Sequence, residues 1–116
     1  MQTFDTMPLI AVVNQTYLCM HGGVSPNLKS LEEVNNINRF MEIPMEGLIC
    51  DLLWSDPIDD DIADKYEFID NPERSCSYKF GLNPTKKILD DYDFTLVIRA
   101  HQVQIQGYKM HYWEKP

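Results

Sequence analysis

Apolar runs of four to seven residues alternate with short polar stretches along this chain, a pattern that predicts short strands and tight turns with helices between them. Met7 to Val13 and Thr16 to Met20 are β-branched, apolar runs split by Asn14-Gln15, a turn dipeptide, and together they predict a hairpin. Ser30 is placed to cap a helix, with Glu32 and Glu33 near the positive end of its dipole and Leu31, Val34 and Ile37 on one face. Met45 to Trp54 predicts a short, largely buried helix closed by Ser55-Asp56-Pro57. Asn83-Pro84 opens another, with Asn83 as cap and Pro84 at its first position. Phe94 to Ala100 predicts a buried strand and Tyr108 to Trp113 an edge strand, with no repeat or linker dividing the chain.

Two of the predicted strands deliver a histidine at their carboxyl ends. Tyr17-Leu18-Cys19-Met20 runs into His21-Gly22-Gly23, and Phe94 to Ala100 runs into His101. The paired glycines let the backbone turn sharply and approach an ion or anion without a Cβ in the way. A single histidine after a strand is most often a structural residue. Two of them suggest one shared site.

Composition narrows the class without choosing within it. The 116 residues are 44% hydrophobic and 24% charged, as expected of one globular domain. No apolar run approaches the roughly 20 residues of a membrane-spanning helix. The N-terminus lacks a signal-peptide pattern, so a cytoplasmic location is expected and the Asn14-Gln15-Thr16 sequon carries no weight. The net charge of -8 argues against a nucleic-acid partner. Carboxylates concentrate between Asp51 and Glu73, which predicts a solvated acidic loop or, more sharply, an acidic rim favouring basic residues around a substrate. Cys19, Cys50 and Cys76 show no C-x-x-C spacing and are expected to be reduced, buried thiols. Met41 and Met45 are expected to fill core space.

The motifs carry more. HGGVSP at 21–26, Cys50-Asp51-Leu52-Leu53-Trp54-Ser55-Asp56-Pro57, Arg74-Ser75-Cys76-Ser77-Tyr78, Ile98-Arg99-Ala100-His101-Gln102 and Gly107-Tyr108 follow in this order. The set closely resembles the second half of the catalytic domain of the phosphoprotein phosphatases, the metal-dependent serine/threonine protein phosphatases, from about Phe4 to Trp113. Phe4-Asp5-Thr6-Met7-Pro8-Leu9, Asn38-Arg39-Phe40, Glu42-Ile43-Pro44 and Gly107-Tyr108-Lys109-Met110-His111 look most like its calcineurin branch.

That resemblance implies an α/β fold, a partial calcineurin-like metallophosphoesterase β-sandwich flanked by helices over residues 1–116. It implies hydrolysis of phosphoserine and phosphothreonine at a dinuclear metal centre of iron with zinc, or of manganese. His21 and His101 are then metal ligands, and Arg74 grips the substrate phosphate with two parallel hydrogen bonds, the mode that suits a planar guanidinium. Ser75 stands where the family has glycine. Without the resemblance, Arg74 reads as a surface arginine paired with Glu73 or Asp70. Trp54, Asp56 and Arg99 are expected to support the site, while Tyr108 and His111 read as structural, His111 on a solvent-facing strand. Phosphoproteins are the implied substrates, with a calcineurin-type regulatory subunit and calmodulin as partners of a parent protein. The G-D-x-H-G, G-D-x-V-D-R-G and G-N-H-E motifs, which carry most of the metal-binding groups and the general acid, are not in this chain, nor is the later S-A-P-N-Y segment. The alternative reading is therefore a catalytically inactive fragment or binding module derived from such a phosphatase, aggregation-prone or molten when isolated.

Overall fold

Asn14 and Gln15 both adopt left-handed φ, 52° and 54°, and the Thr16 amide closes the turn on the Val13 carbonyl at 3.0 Å. Two successive positive φ values match the right-handed twist of the flanking strands, so the turn sets the register of the hairpin. In the computed structural model, which describes residues 2–112, strands β1 (Ile10–Val13) and β2 (Tyr17–Met20) accordingly pair antiparallel from Val13↔Tyr17 to Ile10↔Met20. A short helix α1 (Gln2–Asp5) precedes them. Alternation along β2 buries Leu18 and Met20 while Tyr17 and Cys19 stay half-covered.

The other elements in chain order are a 3-10 turn (Glu32–Asn36), α2 (Leu48–Trp54), β3 (Asp56–Pro57), β4 (Phe68–Asp70), β5 (Tyr78–Phe80), α3 (Leu82–Tyr92) and β6 (Leu96–Arg99). They form two three-stranded sheets, β1-β2-β6 and β3-β5-β4. β6 runs parallel to β2, with Tyr17 opposite Leu96 and Met20 opposite Arg99. Leu18 and Met20 pack with Val24, Phe80 and Ile88 into the main core, so the first sheet, α3 and β5 share one apolar interior. Ile58, Ala63 and Tyr112 form a second core. There the Tyr112 hydroxyl reaches the carbonyls of Ile58 and Phe80, at 2.9 and 2.8 Å, and satisfies its polar end.

Several expected boundaries move for identifiable reasons. Ser30 does not cap a helix: the Glu33 carboxylate accepts the amides of Lys29 and Ser30, and only a 3-10 turn follows, with Leu31 at its cap position. Leu31, Val34 and Ile37 still share its covered side, since i, i+3 spacing suits that tighter winding. Helix α2 begins three residues later than expected, after Gly47 at φ 93°. Met41 and Met45 are exposed rather than core residues. Helix α3 starts one residue before Asn83, with Gly81 at the cap position and Thr85 Oγ donating to the Gly81 carbonyl. β6 is half-buried and not enclosed, and residues 108–112 form no strand; Trp113 lies outside the described residues. Among the described residues no helix is long and apolar enough to cross a membrane.

Candidate functional site

Parallel pairing of β2 with β6 explains why two distant histidines meet. Two parallel neighbours end at the same rim, so His21, one residue after β2, and His101, two residues after β6, emerge side by side. The Ala100 amide donates to the His21 carbonyl at 3.2 Å and locks the two chain exits together. His101 takes a left-handed φ of 65°, which swings its ring back toward His21. Its Nδ1 lies 3.1 Å from His21 Nε2, and the ring centroids are 4.9 Å apart.

The tautomers follow from the neighbours. His101 Nε2 is 3.2 Å from the Trp54 carbonyl, which only accepts, so Nε2 carries the proton and Nδ1 presents its lone pair. The Trp54 indole packs edge-on against the same ring at 5.4 Å. Burial lowers the His101 pKa from 6.5, and the Arg74 charge lowers it further, against the opposing pull of Asp56. The imidazole is therefore neutral at pH 7, with its free nitrogen aimed at His21.

Glycines make this rim possible. A Cβ on Gly22 would sit 2.7 Å from the Leu53 carbonyl carbon, and one on Gly23 would overlap the Phe80 ring at 2.1 Å. The Gly22 amide in turn donates to the Leu52 carbonyl at 2.9 Å, so the HGG turn rests directly on the end of α2.

Behind the histidines stands Asp56, fully buried on β3. Arg74 reaches it through Nε at 2.8 Å and Nη2 at 3.2 Å, Arg99 through Nη2 at 3.1 Å, and Asn71 through Nδ2 at 2.9 Å. His101 Nε2 is 3.9 Å away. Burial pushes the Asp56 pKa up, but the hydrogen bonds from Arg74 and Asn71 and the Arg74 charge outweigh it, and the net shift is downward. Arg74 also donates to the His101 carbonyl at 3.3 Å. Arg99 ties the three turns together through the Gly22 carbonyl, the Ser55 carbonyl at 3.2 Å and Gln102 Oε1 at 2.6 Å.

Asp51 anchors the same region from α2. Fully buried, it accepts from Ser25 at 2.6 Å, Asn27 at 3.2 Å and Ser77 at 2.8 Å, joining the loop after His21 to the loop after Arg74. Cys50, beside it, is buried, and desolvation together with the neighbouring Cys76 thiol raises its pKa to about 12, so it stays protonated. All three cysteines are free, with Cys19 and Cys76 only half-buried.

The three residues expected at the site thus lie together. Arg74 pairs with Asp56 rather than with Glu73, which binds Lys79 at 2.7 Å. The two-bond edge of its guanidinium is occupied by Asp56 and not free for an anion. Asp51 and Asp56 belong to the acidic run yet are fully buried; Asp59, Asp61, Asp64, Glu67, Asp70 and Glu73 are its exposed members. Tyr108 is exposed, and His111 sits half-buried 3.3 Å from Asp60. Asn71 escaped the sequence reading; the Asn71-Pro72 turn signal marked its backbone but nothing marked its side chain. A groove of about 790 Å³ between α3, β6 and residues 102–112 is lined by none of His21, His101 and Arg74.

A cation suits the imidazole pair. Metal–imidazole bonds of about 2.0–2.1 Å leave adjacent ligand atoms roughly 3 Å apart, close to the observed spacing, and the Trp54 carbonyl fixes the His101 tautomer that a ligand needs. Two nitrogens are a partial set. Among the described residues no group of three or more His, Cys, Asp or Glu side chains is placed to hold a metal, and Asp56 is engaged by two arginines.

Comparison with known proteins identifies the family. A family model for the calcineurin-like phosphoesterases matches residues 1–104. The serine/threonine-protein phosphatase 2B catalytic subunits A1 and A2 of Saccharomyces cerevisiae are 45% and 39% identical, each alignment covering 95% of this chain and 22% of the relative. The serine/threonine-protein phosphatase 4 catalytic subunit of Kluyveromyces lactis is 42% identical over 93% of this chain and 33% of its own length. A solved serine/threonine phosphatase from Saccharomyces cerevisiae superposes with a TM-score of 0.76 at 28% identity, over 90% of this chain and 31% of that one. The chain thus spans about a fifth to a third of the length of these relatives.

Proposed function

The chain belongs to the calcineurin-like phosphoesterase family, whose members work through a dinuclear metal centre, and from that membership we propose that it forms part of the catalytic domain of a protein serine/threonine phosphatase. The observation that carries the reading is the His21–His101 pair at 3.1 Å, with Arg74 bonded to the His101 backbone. In this reading His21 Nε2 and His101 Nδ1 hold one cation, and Arg74 holds the substrate phosphate. When bound, the metal centre, of iron with zinc or of manganese, activates water and neutralises charge on the phosphoryl oxygens. The Trp54 carbonyl keeps the His101 proton on Nε2, and Arg99 fixes the spacing of the turns that carry both rings. Phosphoproteins as substrates, a regulatory subunit and calmodulin as partners, and a cytoplasmic location belong to the same proposal, and the choice of partners follows from the resemblance to the phosphatase 2B catalytic subunits.

The partial ligand set favours a second reading for the 116 residues taken alone, that they bind a cation without hydrolysing phosphate. Two measurements separate the readings. Manganese should broaden the NMR signals of both imidazoles; rings that ignore the ion would overturn the metal assignment. Hydrolysis of a phosphoserine peptide in manganese, iron or zinc should not exceed that of a His21→Ala, His101→Ala double variant, and a metal-dependent excess would overturn the second reading.

A further inference from the structure

We propose that Asp56 is the positioning residue for Arg74, setting the orientation in which this arginine meets a phosphate monoester. The inference rests on the reading of Arg74 as the phosphate-binding group and turns the general support expected of Asp56 into one specific task.

Asp56 is fully buried, and four N–H groups from three side chains converge on its two oxygens. A buried carboxylate with this many charge-assisted partners has one stable orientation. Arg74, by contrast, is a long side chain on a half-exposed loop, and it would sample many rotamers without a fixed partner. Asp56 takes Nε and one proton of Nη2, and the His101 carbonyl takes the other Nη2 proton, so Nη1 is the end left to meet an anion. Asn71 works on both parts of this arrangement. Its side chain donates to Asp56, while its carbonyl accepts the Arg74 amide at 3.2 Å and closes the turn that carries the arginine. On the other side Arg99 links Asp56 to the Gly22 carbonyl, so the carboxylate also sets the separation between Arg74 and the His21 turn.

Electrostatics alone predicts the opposite sign. A carboxylate beside a phosphate site repels the ligand, and neutralising it should tighten binding. Positioning predicts that the neutral isostere Asp56→Asn weakens binding. The test is titration of the intact chain with inorganic phosphate, followed by the Arg74 Nε–H NMR signal and by calorimetry. Arg74→Ala should lower affinity by about tenfold or more, Asp56→Asn by a similar factor, and the double variant little beyond Arg74→Ala, because the two residues act as one unit. Arg74→Lys, which keeps the charge but loses the fork, should not restore binding. Should Asp56→Asn fail to fold, Asn71→Ala, which removes one of Asp56's anchors, should weaken binding by a smaller factor. Phosphate binding that is absent, or unchanged in Arg74→Ala, would overturn the phosphate reading of Arg74 and this inference with it. Weakening in Arg74→Ala with wild-type or tighter binding in Asp56→Asn and Asn71→Ala would overturn the positioning role alone.

Discussion

His101 Nδ1 faces His21 Nε2 at 3.1 Å, although 80 positions separate the two residues in the chain. With Nε2 of His101 committed to the Trp54 carbonyl, the lone pair between the rings is held by a single proton of His21. A divalent cation can take that proton's place. Zinc should bind the chain through both rings, and His21→Ala and His101→Ala should each weaken it by about tenfold or more, with little further loss in the double variant. Competition with a chromophoric chelator measures this; fully additive losses would mean that the rings bind separate ions.

Ser75, directly after Arg74, has a left-handed φ of 56°. A non-glycine residue there costs about 1–2 kcal/mol, part of which a glycine gives back through its greater freedom in the unfolded chain. Ser75→Gly should therefore raise stability by up to about 1 kcal/mol, while Ser75→Val should lower it, as read by urea denaturation. A destabilised glycine variant would show that the serine side chain holds the loop.

Gly22→Ala should be among the costliest small substitutions in the molecule. Its Cβ would meet the backbone of Leu53 and Trp54 at 2.7 and 2.8 Å, and backbone yields less readily than a side-chain tip. A loss of about 1–3 kcal/mol is expected, accompanied by displacement of His21. Gly23→Ala presses instead on the buried Phe80 ring, so its cost falls on the main core rather than on the backbone under the His21 turn, and of the two it should disturb the His21 resonance less.

Acid should weaken the fold before it reaches the ordinary carboxylate range. Burial holds the His101 and His111 pKa values below 6.5, with Arg74 and Lys109 adding to the effect. Both rings are thus neutral in the fold while the unfolded chain already binds protons. Stability contributed by the neutral rings is complete above about pH 6.5 and falls as pH drops through their folded values, because the unfolded state then holds more protons. Denaturation midpoints should decline from pH 7 to 5, and His111→Asn should flatten part of the slope. A midpoint that rises on acidification in that window would contradict the sign.

Asp51→Ala should cost more than its size suggests. It would leave buried Ser25 without its acceptor, at about 1–3 kcal/mol for an unsatisfied buried group, and would release half-buried Ser77 and exposed Asn27, which water can reach. Asp51→Asn, which keeps an acceptor oxygen, should recover part of the loss in thermal melts.

How much of this was legible varies with the range of the interaction. The hairpin was readable because Asn14-Gln15 acts on its immediate neighbours, and the strand-end histidines because each follows its own apolar run. The meeting of the histidines depends on β2 and β6 pairing in parallel, which spacing does not encode, and the family resemblance supplied it. Asp56 shows the limit. The resemblance marked it as a support of the site, but it lies in a run of acids that reads as solvated, and its burial and its partners Asn71, Arg74 and Arg99, at 15, 18 and 43 positions' distance, were not readable. Ser30 fails for a local reason, since the 3-10 turn begins after Leu31 and Glu33 reaches back to the Lys29 and Ser30 amides without any answering bond from the serine hydroxyl.

Parallel pairing of β2 with β6 also dictates when the site can come into being. The hairpin can zip up from its own turn, but β6 must find β2 across a long intervening segment, and closing such a loop is entropically slow compared with local contacts. The imidazole pair is therefore absent from any early intermediate that holds only the hairpin and α3. Its appearance is a late reporter of folding, and a cation that binds both rings would slow unfolding more than it speeds folding.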